Sequence, residues 1–271
     1  MRSNALLLAC AAIAAIIFWN GQTATAQMVE PEHLSQLEYR TIGPDGNRAI
    51  AIVGEPGNND VIYVGAASGG IWKTTDGGLR WKPIFDDVDV ASVGSLAMAP
   101  SDPNVIWAGT GETFVIRPAL AMGNGIYRST DAGSTWTHVG LEKTGRIGRV
   151  VVHPTDPGIA LACAAGHLYA PQPERGIFRT VDGGASWEKV LFVDENTGCA
   201  DLAMDPTNPR ILVAGMWQIQ MDTSGLRSGG PGSGVYRSKD GGSTWEKLSG
   251  VGKGLPGGAS HPLGKIAVGI A

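Results

Sequence analysis

The chain has 271 residues and a formal net charge of −4, so no basic field invites nucleic acid. Its 40 glycines favour a fold of many turns over one of long helices. Three cysteines are too few for a disulfide framework.

At the N-terminus, Arg2 precedes an apolar run over residues 5–19, a polar stretch and the small-residue site Ala24-Thr25-Ala26. That order reads as a secretory signal peptide, residues 1–26, cleaved before Gln27. As a membrane anchor the run is short, because a span needs about 20 apolar residues. Leu7-Leu8-Ala9-Cys10 imitates a lipoprotein site, yet most of the apolar run follows Cys10. The expected product is secreted or periplasmic, with no membrane span after signal removal.

Residues 27–271 read as one domain of repeated four-strand cassettes. The first opens with residues 49–53 and a turn over 55–60. The second runs Val93–Ala99, the turn Pro100-Ser101-Asp102-Pro103-Asn104, then strands near 105–109, 125–129 and 135–139. The opening returns as Ile147–Val152 before His153-Pro154-Thr155-Asp156-Pro157, and as residues 201–204 before Asp205-Pro206-Thr207-Asn208-Pro209. Proline fixes φ in these turns and cannot continue a central ladder. Four strands per period of about 50 residues describe a β-propeller blade. The expected fold is all-β: four-stranded antiparallel blades at about 46–86, 91–140, 146–192 and 199–249. Residues 264–271 read as the opening strand of a fifth blade, so further blades are expected beyond this chain; the alternative is that this segment closes a four-bladed ring.

Each cassette carries one phrase: Gly, a β-branched residue, an aromatic, a basic residue, Ser or Thr, then x-Asp-x-Gly-x-x-Trp. Its Asp, Gly and Trp are Asp76, Gly78 and Trp81; Asp131, Gly133 and Trp136; Asp182, Gly184 and Trp187; and Asp240, Gly242 and Trp245. The aspartates recur at steps of 55, 51 and 58 residues, which marks one supersecondary unit copied along the chain. The phrase belongs on the hairpin joining strands three and four. Its Gly supplies φ > 0, its Asp accepts backbone N–H groups of the turn, and its Ser or Thr completes the network. The Trp is expected to pack toward the neighbouring blade. One carboxylate per turn is too few oxygens for a calcium site, and copies in every blade cannot share one active site. Cys163 and Cys199 lie within or beside predicted strands, where buried thiols are the favoured state and a disulfide the alternative.

The phrase closely resembles the Asp-box, or BNR repeat, written Ser/Thr-x-Asp-x-Gly-x-Thr-Trp. Ser129-Thr130-Asp131-Ala132-Gly133-Ser134-Thr135-Trp136 and Ser238-Lys239-Asp240-Gly241-Gly242-Ser243-Thr244-Trp245 match it fully. The third copy has Ser186 for Thr, and the first has Arg80 there. From Tyr39-Arg40-Thr41-Ile42-Gly43-Pro44 onward the chain looks like large secreted bacterial proteins labelled glycosyl hydrolase-like or sortilin N-terminal (VPS10)-like. Proteins with this repeat include sialidases, xyloglucan-active endoglucanases, the ligand-binding propeller of sortilin and a photosystem assembly factor. The resemblance therefore implies a scaffold rather than an activity. The xyloglucanases it resembles carry a catalytic aspartate in Thr-Asp-x-Gly-Gly; the comparable Ala66-Ala67-Ser68-Gly69-Gly70 has no carboxylate. A sialidase arginine triad and Tyr/Glu pair cannot be assigned.

Function is expected on the connections between strands two and three, which do not repeat. The first is only residues 66–69. The second, 110–124, carries Glu112 and Arg117; the third, 164–175, carries His167, Tyr169, Glu174 and Arg175; the fourth, 216–233, carries Trp217, Gln218, Asp222 and Arg227. Glu112 and Glu174 are the candidate glycosidase carboxylates, against the alternative of loop charges paired with Arg117 and Arg175. Arg117, His167, Tyr169, Arg175, Trp217 and Arg227 are the candidate ligand contacts. No spacing suggests a metal site or a cofactor. The expected function is non-catalytic binding of a glycan or an extended peptide or protein ligand. The alternatives are a glycoside hydrolase acting on polysaccharide and an envelope assembly factor or scaffold.

Overall fold

Short apolar strands alternate with glycine-rich and proline-rich turns, and each consecutive group of four pairs into its own antiparallel sheet. The computed structural model describes residues 48–113, 121–258 and 261–270, all within one compact unit. The expected signal peptide, residues 1–26, lies outside the described residues, and so does Arg117. Among the described residues no helix is long and apolar enough to cross a membrane.

The first sheet joins β1 (Ala49–Glu55), β2 (Asn58–Ala66), β3 (Ile71–Thr74) and β4 (Lys82–Pro83) in that order. The second joins β5 (Val93–Ala99), β6 (Asp102–Thr110), β7 (Ile126–Ser129) and β8 (Thr137–His138). The third joins β9 (Ile147–Val152), β10 (Ala160–Ala164), β11 (Gly176–Thr180) and β12 (Glu188–Leu191). The fourth joins β13 (Thr197–Met204), β14 (Leu212–Asp222), β16 (Gly234–Ser238) and β17 (Glu246–Lys247). This is the meander of propeller blades.

The fourth connection departs from expectation. Residues 216–233 are not an open loop: β14 runs on to Asp222, and β15 (Gly225–Ser228) folds back along it. The alternation of Trp217, Ile219 and Met221 buries one face of this hairpin, and the turn Asp222-Thr223-Ser224-Gly225 reverses it. An alternating pattern of this kind is a strand signal that the surrounding glycines concealed.

The repeated phrase folds into four nearly identical turns. In each, the Ser or Thr hydroxyl donates to the Asp carboxylate (2.7–2.8 Å) and accepts the amide of the turn glycine (2.8–2.9 Å). The Asp also accepts the amide four residues on, at 2.8–2.9 Å. In the last three copies a Thr or Ser hydroxyl adds a bond of 2.5–2.6 Å, which Arg80 cannot supply in the first. The turn glycines take φ of 85–95°, a region in which a Cβ is strained. Gly133 has a second reason: a Cβ there would lie 2.6 Å from Ile84 Cδ1 in the preceding blade.

The same phrase also ties blades together. Trp136 Nε1 donates to Ile84 O at 2.8 Å, and Trp187 Nε1 to Val139 O at 2.6 Å, each in the preceding sheet. Trp81 and Trp245 instead donate to the carbonyls of their own turns, Gly78 and Gly242. The recurring basic residue reaches the other way: Lys73 Nζ donates to Ala132 O at 3.1 Å and Arg179 Nη1 to Gly241 O at 3.0 Å, both in the following turn. Partly buried carbonyls at blade junctions are thus satisfied by side chains of the neighbour.

Between blades the second strand of one sheet meets the first strand of the next. A Cβ on Gly65 would lie 2.8 Å from Val93 Cγ1, one on Gly109 2.5 Å from Ile147 Cγ2, and one on Gly215 2.9 Å from Ile266 Cβ. The absent side chains let branched residues seat against the backbone. At the equivalent place in the third blade stands Cys163, and Cys163 is bonded to Cys199, with Cα atoms 5.0 Å apart. The expectation of two buried thiols is corrected here. Both cysteines are fully buried, and the register of β10 and β13 aims them at each other across the junction.

Candidate functional site

The Asp-box turns occupy one end of the strands, so the connections between second and third strands emerge at the other. There each first strand begins immediately after a residue whose carbonyl receives the end of the second strand: Ala67 N on Arg48 O, Gly111 N on Ser92 O, Ala165 N on Arg146 O. Arg48, Ser92 and Arg146 therefore surround the entrance to the blade centres. Lys265, one residue before Ile266, takes the corresponding position beside the fourth sheet.

Glu112 stands just past the end of β6 and is only 2% exposed. Its backbone amide donates to Ala121 O at 2.9 Å, and Arg48 Nη2 donates to its Oε1 in a short ion pair. Arg146 is buried nearby. Burial pushes the Arg146 guanidinium below its ordinary range, while Tyr169 and the Glu112 carboxylate act in the opposite direction. Glu112 is thus the counter-ion of Arg48, and its charge also acts on Arg146. The expected pairing with Arg117 falls outside the described residues, and Arg48 and Arg146 escaped notice because neither lies in a variable connection.

The third connection closes on itself. Arg175 is 1% exposed, and its Nη1 donates to Asn196 O (2.7 Å) and Ile219 O (3.0 Å). Its Nη2 donates to Ala170 O at 3.1 Å and, more closely, to His167 O. Burial lowers the Arg175 pKa to about 10, so it remains a cation at neutral pH. Arg175 is therefore a bracket for the loop and for β14. The amide of His167 donates to Gln172 Oε1, and Gln172 Nε2 donates to Lys143 O at 3.1 Å and to Glu174 Oε2 at 3.2 Å. Tyr169 is half exposed and remains on the surface of this loop.

On the fourth connection, Trp217 is 4% exposed and packs with Leu168, Ile219 and Met221 beneath the added hairpin. Its Nε1 donates to Ser228 Oγ at 2.9 Å, and Gln218 Oε1 accepts Gly232 N at 2.9 Å. Arg227 lies at the hairpin surface, ion-paired with Asp222 at 2.9 Å. The structure thus gathers Glu112, Tyr169, Arg48 and Arg146 at the entrance, keeps His167 and Glu174 within one loop, and buries Arg175 and Trp217.

Below the entrance is a cavity of about 370 Å³ lined by the first strands of all four sheets and by residues 265–267. Its charged residues are Arg149, Asp201 and Lys265. Arg149 Nε donates to Asp201 Oδ1 at 2.8 Å, and Asp201 Oδ2 accepts Val268 N at 3.1 Å. Lys265 Nζ donates to Thr113 O at 3.1 Å and stands 5.6 Å from the Trp217 ring. Solvent still touches Lys265, but the cavity walls displace enough water to lower its pKa. Among the described residues no group of three or more His, Cys, Asp or Glu side chains is placed to hold a metal ion.

Residues 124–254 match the family model described as Sortilin, neurotensin receptor 3. The chain is 30% identical over 240 residues to Xyloglucanase Xgh74A of Acetivibrio thermocellus, an alignment that takes in 79% of this chain and 27% of that protein. It is 24% identical to a xyloglucanase of a Paenibacillus species, covering 76% of this chain and 21% of the relative. The chain therefore spans about a quarter of the length of these relatives. Among solved structures, an ancestral GH74 enzyme superposes with a TM-score of 0.61 at 21% identity, covering 80% of this chain and 27% of that one. At that identity the likeness establishes the fold alone.

Proposed function

We propose a function for the chain, which is an Asp-box β-propeller of the glycosyl hydrolase-like and sortilin-like kind: it is the polysaccharide-engaging part of an exported glycoside hydrolase-like protein. The relatives named as xyloglucanases support a glycan as the ligand class. Within that reading, the described face holds the sugar chain and does not itself supply the acid and base.

One observation carries this division of labour. Glu112 is buried and engaged by Arg48, and a general acid must be free to hold and deliver a proton. Glu174 accepts a hydrogen bond from Gln172 inside its own loop. Ala66-Ala67-Ser68-Gly69-Gly70 adds no carboxylate to the entrance. Tyr169, half exposed, is the aromatic surface on which a sugar ring can stack.

The test measures xyloglucan binding and the release of reducing ends by this chain, by Glu112→Gln and by Glu174→Gln. Binding without release supports the reading. Release that disappears in either variant would make the chain catalytic through that carboxylate. Absence of binding across a polysaccharide panel, together with a protein captured in a pull-down, would replace the glycan reading with a scaffold.

A further inference from the structure

We infer that the cavity at the centre of the blades is a binding site for the carboxylate of a uronic acid, read by Arg149 and Lys265. The sugar half of this assignment rests on the glycan reading above; the anion half rests on the cavity alone.

The first strands share one irregularity, a register shift that sets Ala51, Ser95, Arg149 and Asp201 at equivalent positions opposite Gly65, Gly109, Cys163 and Gly215. Only the third and fourth blades place charge there. The pair of Arg149 with Asp201 links these two blades through Nε alone, so the terminal nitrogens of Arg149 call for another explanation.

The local donor count supplies one. Asp201 has both oxygens engaged: Oδ1 by Arg149 Nε and by Leu202 N at 3.0 Å, Oδ2 by Val268 N. Arg149 makes that contact through Nε, and its two terminal nitrogens have no partner among the described residues. Its side chain is 50% exposed, and it lines the cavity. Lys265 gives one of its three hydrogens to Thr113 O. Ser95 Oγ accepts Val150 N at 2.8 Å, which leaves its O–H to donate. The cavity therefore holds two cations, one carboxylate with both oxygens already engaged and a surplus of donors. That balance suits an anion, and the planar fork of Arg149 suits a carboxylate.

The size limits the ligand. A cavity of about 370 Å³ lies at the lower end for small-molecule sites, and Gly94, Gly148, Ala200 and Ala267 keep its walls bare. One sugar ring with its carboxylate fits this scale. A polymer would enter by a terminal residue.

The experiment is calorimetric titration of the whole chain with sodium glucuronate, glucose and acetate, in parallel with xyloglucan. Glucuronate is expected to bind, with glucose and acetate each at least tenfold weaker. Arg149→Gln and Lys265→Met are each expected to weaken glucuronate at least tenfold. Arg149→Gln leaves Asp201 without its partner, so Arg149→Gln/Asp201→Asn is measured beside it, and thermal unfolding checks that every variant is folded. Equal affinity for glucose and glucuronate, equal affinity for acetate, or folded variants that bind glucuronate as the wild type does would overturn the assignment. Xyloglucan separates the two readings: glucuronate binding without xyloglucan binding removes only the polysaccharide reading, and the converse removes only this site.

Discussion

Cys163 and Cys199 are bonded at the one blade junction where the glycine of the other three is missing. Gly65 receives Val93, Gly109 receives Ile147 and Gly215 receives Ile266, while the third junction replaces knob and hole with a covalent link. The bond closes a sequence separation of 36 residues, for which loop entropy gives about 3–4 kcal/mol of stabilisation. Cys163→Ser/Cys199→Ser is expected to lose that much in denaturant unfolding. Cys163→Gly/Cys199→Val, which restores the pattern of the other junctions, should be more stable than the serine pair by about 1 kcal/mol, because buried hydroxyls without partners are costly. Equal stability of the two double variants would contradict the equivalence of the junctions.

The Asp-box carboxylates make the fold acid-sensitive in a defined window. Hydroxyl and amide donors from Thr135, Ser186 and Thr244 hold Asp131, Asp182 and Asp240 at a pKa of about 2. Each folded value lies below the unfolded one, about 3.9, so the stabilisation is fully present above that unfolded value. It is lost as pH falls from about 4 toward 2. Asp76 is lowered chiefly by the amide of Arg80, without the extra hydroxyl. Arg80→Thr is expected to lower the Asp76 pKa further, which carboxylate NMR titration reads directly. An unchanged pKa would mean that the second hydroxyl has no influence on the carboxylate.

Two neighbouring residues of one turn should respond in opposite directions. Ala132 is held at φ 57°, while its counterparts Gly77, Gly183 and Gly241 are glycines at 68–73°. Ala132→Gly is expected to stabilise by about 0.5–1 kcal/mol by relieving left-handed strain. Gly133→Ala adds strain and a 2.6 Å contact with Ile84, and should cost about 2–3 kcal/mol. Thermal unfolding of the two variants measures both signs.

The two candidate glutamates should separate by stability. Glu112→Gln removes the charge facing Arg48 and Arg146 in a buried setting, and is expected to cost about 2 kcal/mol, with the half-buried Arg48 limiting the loss. Glu174→Gln leaves a hydrogen-bonding group in place beside Gln172, and should change stability by less than about 0.5 kcal/mol. Chemical denaturation distinguishes them; equal effects would mean that Glu112 is not a structural counter-ion.

The repeat alone determined the blade plan. Glycine, aspartate and tryptophan at fixed offsets are local instructions: the Asp131 turn closes through Ser129, Gly133 and Thr135, each within four positions of Asp131. The candidate loops were also legible as places, since they are what fails to repeat. Their chemistry was not. Whether Arg175 meets a ligand or four carbonyls, and whether Trp217 meets solvent or a packed interior, depends in part on distant residues, Asn196 and Ile219 for Arg175 and Leu168 for Trp217, that only folding brings near. The disulfide and the Arg149–Asp201 pair belong to the same class, because each joins two blades through the register of separate strands. Local hydrogen bonds close the turns wherever the phrase is written; contacts between blades exist only once the first strands have converged on a common centre.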